Sequence, residues 1–431
     1  MTPSAVPADG PDANGSINAQ ARDAGAPLAG IRILTVEQIV SLPYATQLLA
    51  RLGADVVKIE HPVTGDSARN TNPMIRDWDG RPVGAAYMRS NLHKKSIGLD
   101  LKSEKGREIF RRLAERFDVV ADNLRPGTMA RLGLGPSDLL TLIPRLIYLS
   151  VSGFGSDPAS PYYSWPAYAP TVEAMGGFGQ AGTPGQPPRV GGIGSLGDIG
   201  ASLFACIGTL AALRFRDETG IGQHIDVAML DSMVAINDSV PFMWALSGRR
   251  PDRTASPTSV LGAFKAADGY FVMFARESQF PILAALVGHD EWLHSPDWDK
   301  PGTWRDRTDS HIRPAVEAWA STRTRVDASG ELCRHGIAAG PANAAPEIAS
   351  DPHVGRRRML ESVERPDGDE PLLVYGNPIK FSVAATKTLS PRWPALGQHT
   401  QEVLAAELGL TESHLKELAA QGVITASDSA T

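Results

Sequence analysis

An aspartate at the end of a glycine run is the residue of this chain best placed for chemistry. Asp198 closes the run Arg189-Val-Gly-Gly-Ile-Gly-Ser-Leu-Gly-Asp198, and a long apolar segment, Ile199 to Leu213, follows it. Glycines take the chain through turns that bulkier residues resist. The apolar segment is long enough for a buried helix. The carboxylate therefore stands at a helix N-terminus, where unpaired N–H groups and the helix dipole favour negative charge. Such a place can also hold an anion or a developing oxyanion. With little bulk before it, Asp198 is accessible enough to act as a nucleophile. Simple helix capping fits the same position, because aspartate is a preferred N-cap residue. Gly192-Ile-Gly194-Ser-Leu-Gly197 also matches the dinucleotide pattern G-x-G-x-x-G. That pattern needs an acidic residue ending a second strand about 20 residues on. Asp217 and Glu218 fall instead in the polar run that ends the helix, so no NAD site is read here.

A second group of residues could hold an anion. His61-Pro-Val-Thr-Gly-Asp66, with Arg69 close by, follows a strand, where open parallel sheets bind ligands. Asn91-Leu-His-Lys94-Lys95-Ser96 and Asn123-Leu-Arg125-Pro-Gly-Thr128-Met-Ala-Arg131 place further cations on turns near strand ends. Together they could bind phosphates. Each alone is also an ordinary solvated surface residue.

The elements that must position these groups alternate. Gly30 to Thr35 reads as a strand, Pro43 to Leu52 as a helix opened by proline, and Ala54 to Glu60 as a second strand. So short a βαβ unit implies parallel pairing. Lys102 to Phe117 is a charged amphipathic helix; Asp118 to Ala121, Leu146 to Ser152 and His224 to Ala228 are strands. Alternation through about residue 225 implies an α/β layer fold. From 226 to 340 tryptophans 244, 292, 298, 304 and 319 cluster, with a hairpin around Ala267 to Phe274. That segment is read as a smaller middle domain, and 341–431, with helices at 400–408 and 411–421, as a return to the large one.

The chain has 431 residues, 42% of them hydrophobic, enough for a substantial core in about two or three domain-sized units. A net charge of −6 argues against a general nucleic-acid binder. Cys206 and Cys333 form neither a disulfide framework nor a metal motif. No apolar run reaches membrane-spanning length without Gly or polar interruption. Residues 1–27 read as a disordered tail without a signal-peptide h-region. A soluble, cytoplasmic protein is expected.

These segments together resemble the class III CoA-transferase family, also called CaiB/BaiF, which includes formyl-CoA transferase, carnitine CoA-transferase and α-methylacyl-CoA racemase. The matching stretches are Pro43 to Glu60, Asn91 to Lys102, Asn123 to Gly127, Gly197-Asp198, Thr219 to Asp231, Gly336 to Pro341 and Leu396 to Thr400. The resemblance implies a Rossmann-like large domain built from both chain ends, a small middle domain, and two chains interlocked as a homodimer. It implies that Asp198 is the nucleophile, on the turn formed with Gly197 and with Tyr168 near by. Coenzyme A would be a co-substrate, not a resident cofactor, contacted by His61, Arg69, Asn91, Lys94, Lys95, Arg125 and Arg131; no metal is implied. The partners would be an acyl-CoA and a carboxylic acid, with neither nucleic acid nor membrane.

The chain departs from the family in places. Ser41-Leu42-Pro43 replaces a small residue–Gly–Pro turn, which puts backbone approach at Leu42 in question. Ala169 replaces an acidic residue that several relatives carry beside Tyr168. A glycine-rich loop that shields the nucleophile in formyl-CoA transferase has no counterpart, which argues against formyl-CoA:oxalate exchange. Two alternatives stand beside CoA transfer: an α-methylacyl-CoA racemase, and a non-catalytic subunit of a heteromer. The racemases place a histidine where Tyr168 stands, and a phenol titrating near 10 is a poor base at neutral pH. Their supporting glutamate aligns with Lys265. Retention of Gly197-Asp198 speaks for catalysis. Pro161-Tyr-Tyr-Ser-Trp165 suggests an acceptor larger than oxalate.

Overall fold

The computed structural model describes residues 25–178, 194–237, 239–248, 259–298, 302–368, 370–384 and 392–425. Residues 1–24 of the expected tail, and Arg189 to Ile193 of the glycine run, lie outside them.

Apolar alternation builds the sheet. Along β1 (Arg32–Val36), Ile33 faces one buried cluster and Leu34 another; Val56 and Val57 divide in the same way along β2 (Asp55–Glu60). Successive side chains of a strand point to opposite faces, so both faces of this sheet are covered. Between the two strands runs α1 (Ser41–Arg51), which starts two residues before Pro43. Proline there removes only one of the N–H groups that lack an intrahelical partner.

After α2 (Ala85–Ser90) comes β3 (Lys94–Gly98), a strand in a segment expected to be a cationic turn. It pairs with β2 in parallel, Val56 opposite Lys94. Then follow α3 (Glu104–Ala114), β4 (Val119–Asp122), β5 (Ile147–Ser152), α4 (Ala169–Met175), α5 (Leu196–Thr219), β6 (Gln223–Ala228) and α6 (Met229–Ile236). The six strands are all parallel, in the order β3-β2-β1-β4-β5-β6. Growth of the sheet reverses between β1 and β4. Open α/β sheets bind ligands beside such a reversal, outside the carboxyl ends of the strands.

The chain divides into two compact units, 1–238 with 358–431, and 239–357. In the first, α10 (Thr400–Leu408) and α11 (Glu412–Ala420) place Val403, Leu404 and Leu415 in the same apolar cluster as Leu34 and Phe110. The second unit starts at 239, not 226, because β6 belongs to the parallel sheet and α6 packs on α5. Its hairpin, β7 (Ser259–Ala266) and β8 (Gly269–Arg276), turns at Ala267-Asp268, and β9 (Ala338–Pro341) pairs with β8. It also holds α7 (Phe280–Val287), α8 (Arg313–Ala320) and α9 (Arg325–Arg334). Trp292, Trp298 and Trp304 stack in its core with Phe280, while Trp244 is exposed.

Helix α5 has 24 residues and is long and apolar enough to cross a membrane, contrary to the sequence expectation. Gly200 and Gly208 do not interrupt it. Ala201, Ala205, Ala212 and Leu213 line its buried face, and it packs on α1, α4, α6, β5 and β6.

Candidate active site

Asp198 lies in the first turn of α5, three residues after Ser195, the residue at the N-cap position. It is not the cap. Among the described residues nothing donates a hydrogen bond to its carboxylate. One turn on, Ser202 Oγ donates to the Asp198 carbonyl at 2.7 Å and also to the Ser41 carbonyl at the start of α1. The helix that follows β1 and the helix that carries Asp198 are thus tied together at their first turns. This places Asp198 at the carboxyl edge of the sheet. Leu42 is fully buried against Ala201 and Ala205, so its side chain packs there instead of lining a backbone approach.

Gly197 has a close-packing role. A Cβ there would lie 2.7 Å from Val172 Cγ2 and 3.1 Å from Ala169 Cα. The missing side chain lets α4 close onto α5. The Gly197 N–H donates to Glu173 Oε1 at 3.0 Å. Tyr168 precedes this contact in the chain and is 69% exposed. Burial, and then the neighbouring Glu173 charge, push the Asp198 carboxyl up to about 6; Arg89, exposed at the end of α2, opposes them. Such a carboxyl is still mostly ionised at neutral pH, yet more basic than an ordinary aspartate. Neither Glu173 nor Arg89 was identified from sequence. Both come from distant segments, although Glu173, four residues after Ala169 on one helix, falls on the same face.

The seven residues expected to contact CoA fall into two sets. Arg69, Asn91 and Lys94 are inside the fold, a correction to their expected role. Arg69 is fully engaged: Nε and Nη2 donate to Glu60 at 2.8 Å each, and its guanidinium lies 3.6 Å over the Tyr87 ring. Burial alone would raise the Glu60 carboxyl, but Arg69, Lys58 and Ser96 hold it down at about 2. Asn91 Oδ1 accepts from Lys58 at 3.1 Å and from Lys94 at 3.0 Å. Lys94 also donates to Glu37 at 2.6 Å and to the Pro43 carbonyl at 2.9 Å. Its burial lowers it to about 8 despite Glu37. Buried charges need such partners, so these side chains are committed to the fold.

The other set is at the surface. His61 is exposed after β2, its Nδ1 accepting from the Val63 and Thr64 amides. Lys95 is partly exposed, 3.6 Å from Glu402. Arg125 and Arg131 are exposed beside a cavity of about 60 Å³ at the carboxyl ends of β4 and β5, lined in part by Arg125, Gly127, Thr128, Ser150 and His224. Burial pushes the carboxyl of Asp122, which also lines it, up to about 6. The structure therefore leaves His61, Lys95, Arg125 and Arg131 able to meet an anionic ligand.

The model of CoA-transferase family III matches residues 28–400. The chain belongs to this family. Among curated relatives, it is 31% identical to the succinyl-CoA–L-malate CoA-transferase beta subunit of Chloroflexus aurantiacus, over 92% of this chain and 98% of that one. It is 33% identical to succinyl-CoA:mesaconate CoA-transferase of Haloarcula hispanica, with 88% and 95% covered. It is also 33% identical to formyl-CoA:oxalate CoA-transferase of Streptomyces coelicolor, with 92% and 99% covered. A CaiB/BaiF family protein from Brucella suis superposes with a TM-score of 0.79 at 30% identity, covering 89% of this chain and all of that one. A family III CoA-transferase acts on CoA thioesters and carboxylates.

Proposed function

We propose that this enzyme moves CoA from an acyl-CoA donor to a carboxylic acid through covalent intermediates on Asp198. The observation that carries the reading is the state of that carboxylate. It stands in a helix's first turn at the carboxyl edge of the sheet, half-buried, without a hydrogen-bond donor among the described residues, and raised to about 6. An Asp198 oxygen attacks the thioester carbonyl, the C–S bond breaks, and a mixed anhydride and CoA thiolate result. The thiolate attacks the Asp198 carbonyl carbon, releasing the donor acid and leaving an aspartyl-CoA thioester. The acceptor carboxylate attacks that thioester, giving a new anhydride and thiolate. Attack of the thiolate on the acceptor carbonyl yields the new acyl-CoA and free Asp198. One difficult exchange becomes several easier steps.

The strand order β3-β2-β1-β4-β5-β6 supports a Rossmann-like reading of the large unit. His61, Lys95, Arg125 and Arg131 are the proposed CoA contacts, as charge-assisted partners of its phosphates. Three relatives named for succinyl-CoA and C4–C5 acids make succinyl-CoA and a small dicarboxylic acid the first pair to test. The proposed assembly is an interlocked homodimer. Its support is the exposed stripe Leu203, Phe204, Ile207, Leu210 and Phe215 on α5, which a lone chain leaves in water.

The test is CoA exchange, followed by mass spectrometry of the acyl-CoA pool. Asp198→Ala is expected to abolish exchange, and hydroxylamine added during turnover of the wild type to modify Asp198. Near-normal exchange by the Ala variant would overturn the reading.

A further inference from the structure

We infer that Glu173 is the positioning residue of the nucleophile: it pins the first turn of α5 through the Gly197 N–H and sets a second negative charge beside Asp198. The inference rests on the covalent reading of Asp198 and deepens it. Glu173 is 7% exposed, and its Oε1 accepts from the amide immediately preceding Asp198 at 3.0 Å. A hydrogen bond to a buried carboxylate fixes a backbone more firmly than one to a neutral acceptor. The close contact of Ala169 and Val172 with Gly197 holds α4 where this bond is made. Glu173 thus returns, one helical turn later, the acidic group that Ala169 lacks.

Two charges act on Asp198 from the elements around it. Glu173 on α4 disfavours its ionisation, and Arg89 on α2 favours it. Asp231 on α6 is raised by burial and then by Asp226. A carboxylate kept more basic by a like charge is the better nucleophile, while Arg89 keeps it ionised at working pH. Tuning and holding are separable, because glutamine accepts the Gly197 N–H without the charge.

The experiment compares wild type, Glu173→Gln and Glu173→Ala. Asp198 is labelled with a water-soluble carbodiimide and an amine across roughly pH 5 to 8, around its raised pKa, and quantified by peptide mass spectrometry. In the Gln variant the labelling midpoint, and the acid limb of the exchange rate, should move down by roughly one pH unit with thermal stability kept. The Ala variant should show the same shift and a further loss of kcat of about ten-fold, because it leaves the Gly197 amide without an acceptor. Equal midpoints in wild type and Gln variant would overturn the inference, even if the Ala variant fails to fold. Labelling needs no turnover, so an Asp198→Ala enzyme that still exchanges CoA defeats the covalent reading alone.

Discussion

The Lys94 ammonium donates to Glu37 at 2.6 Å inside the fold, while the next residue, Lys95, reaches Glu402 only at 3.6 Å and stays partly in water. Adjacent lysines on one strand face opposite ways, so they should answer differently to substitution. Lys94→Met removes the close charge partner of the buried Glu37 carboxylate, leaving Lys58 at 3.9 Å, and should destabilise the protein by about 3 kcal/mol in urea unfolding. Lys95→Ala should change stability by less than about 0.5 kcal/mol. It should instead raise KM for the acyl-CoA, more so at low salt. Equal effects of the two on stability would contradict the assignment of one to the fold and the other to the surface.

Asp198→Asn should stabilise the protein at pH 7 while removing exchange. The folded-state carboxyl, raised from 3.8 to about 6 by burial and Glu173, holds its proton more tightly than in the unfolded chain. Its destabilising contribution therefore grows as pH rises from 3.8 to 6 and is fully present above that. At 1.36 kcal/mol per unit the upper bound is about 3 kcal/mol at pH 7, and water at the half-buried site will reduce it. Denaturant midpoints should show the Asn advantage at pH 7 shrinking toward pH 4. A constant advantage across that range would mean the gain comes from something other than charge.

Much of this arrangement was legible locally. The β1-α1-β2 unit showed in its apolar alternation, and Asp198 in the glycine turn with the apolar run behind it. Strand β3 did not show, because Lys-Lys-Ser-Ile-Gly carries no apolar alternation. Its Lys94 is held by Glu37, 57 residues earlier in the chain, together with the Pro43 carbonyl and Asn91. The same long-range pairing hid the fate of Arg69 and Asn91: a cation near a strand end reads alike whether it meets solvent or a buried glutamate. Glu173 escaped for that reason too, since its bond to Gly197 spans 24 residues.

The stripe on α5 should hold two chains together. Ile207 is 61% exposed at its centre, opposite the buried face carried by Ala205 and Thr209. Ile207→Glu puts a charge into the proposed interface without touching that buried face. Light scattering should change from dimer to monomer, with exchange activity lost in parallel. A wild type that is monomeric and active would refute the assembly.

Incubation with a 2-methylacyl-CoA in deuterated water should give no rapid α-deuterium incorporation with inversion of the α-carbon. Inverting a carbon α to a thioester needs an acid and a base on opposite faces of that carbon. Asp198 can supply one. Tyr168 stands where the racemases carry histidine, and it is largely in solvent. Glu173 is buried and bound to the Gly197 amide, so it is not free to take a substrate proton. The site thus offers one reactive carboxylate, which suffices for acyl transfer but not for a two-base proton exchange. Fast deuterium uptake with inversion at the α-carbon, without an acceptor acid, would show a second base and would favour isomerisation over CoA transfer.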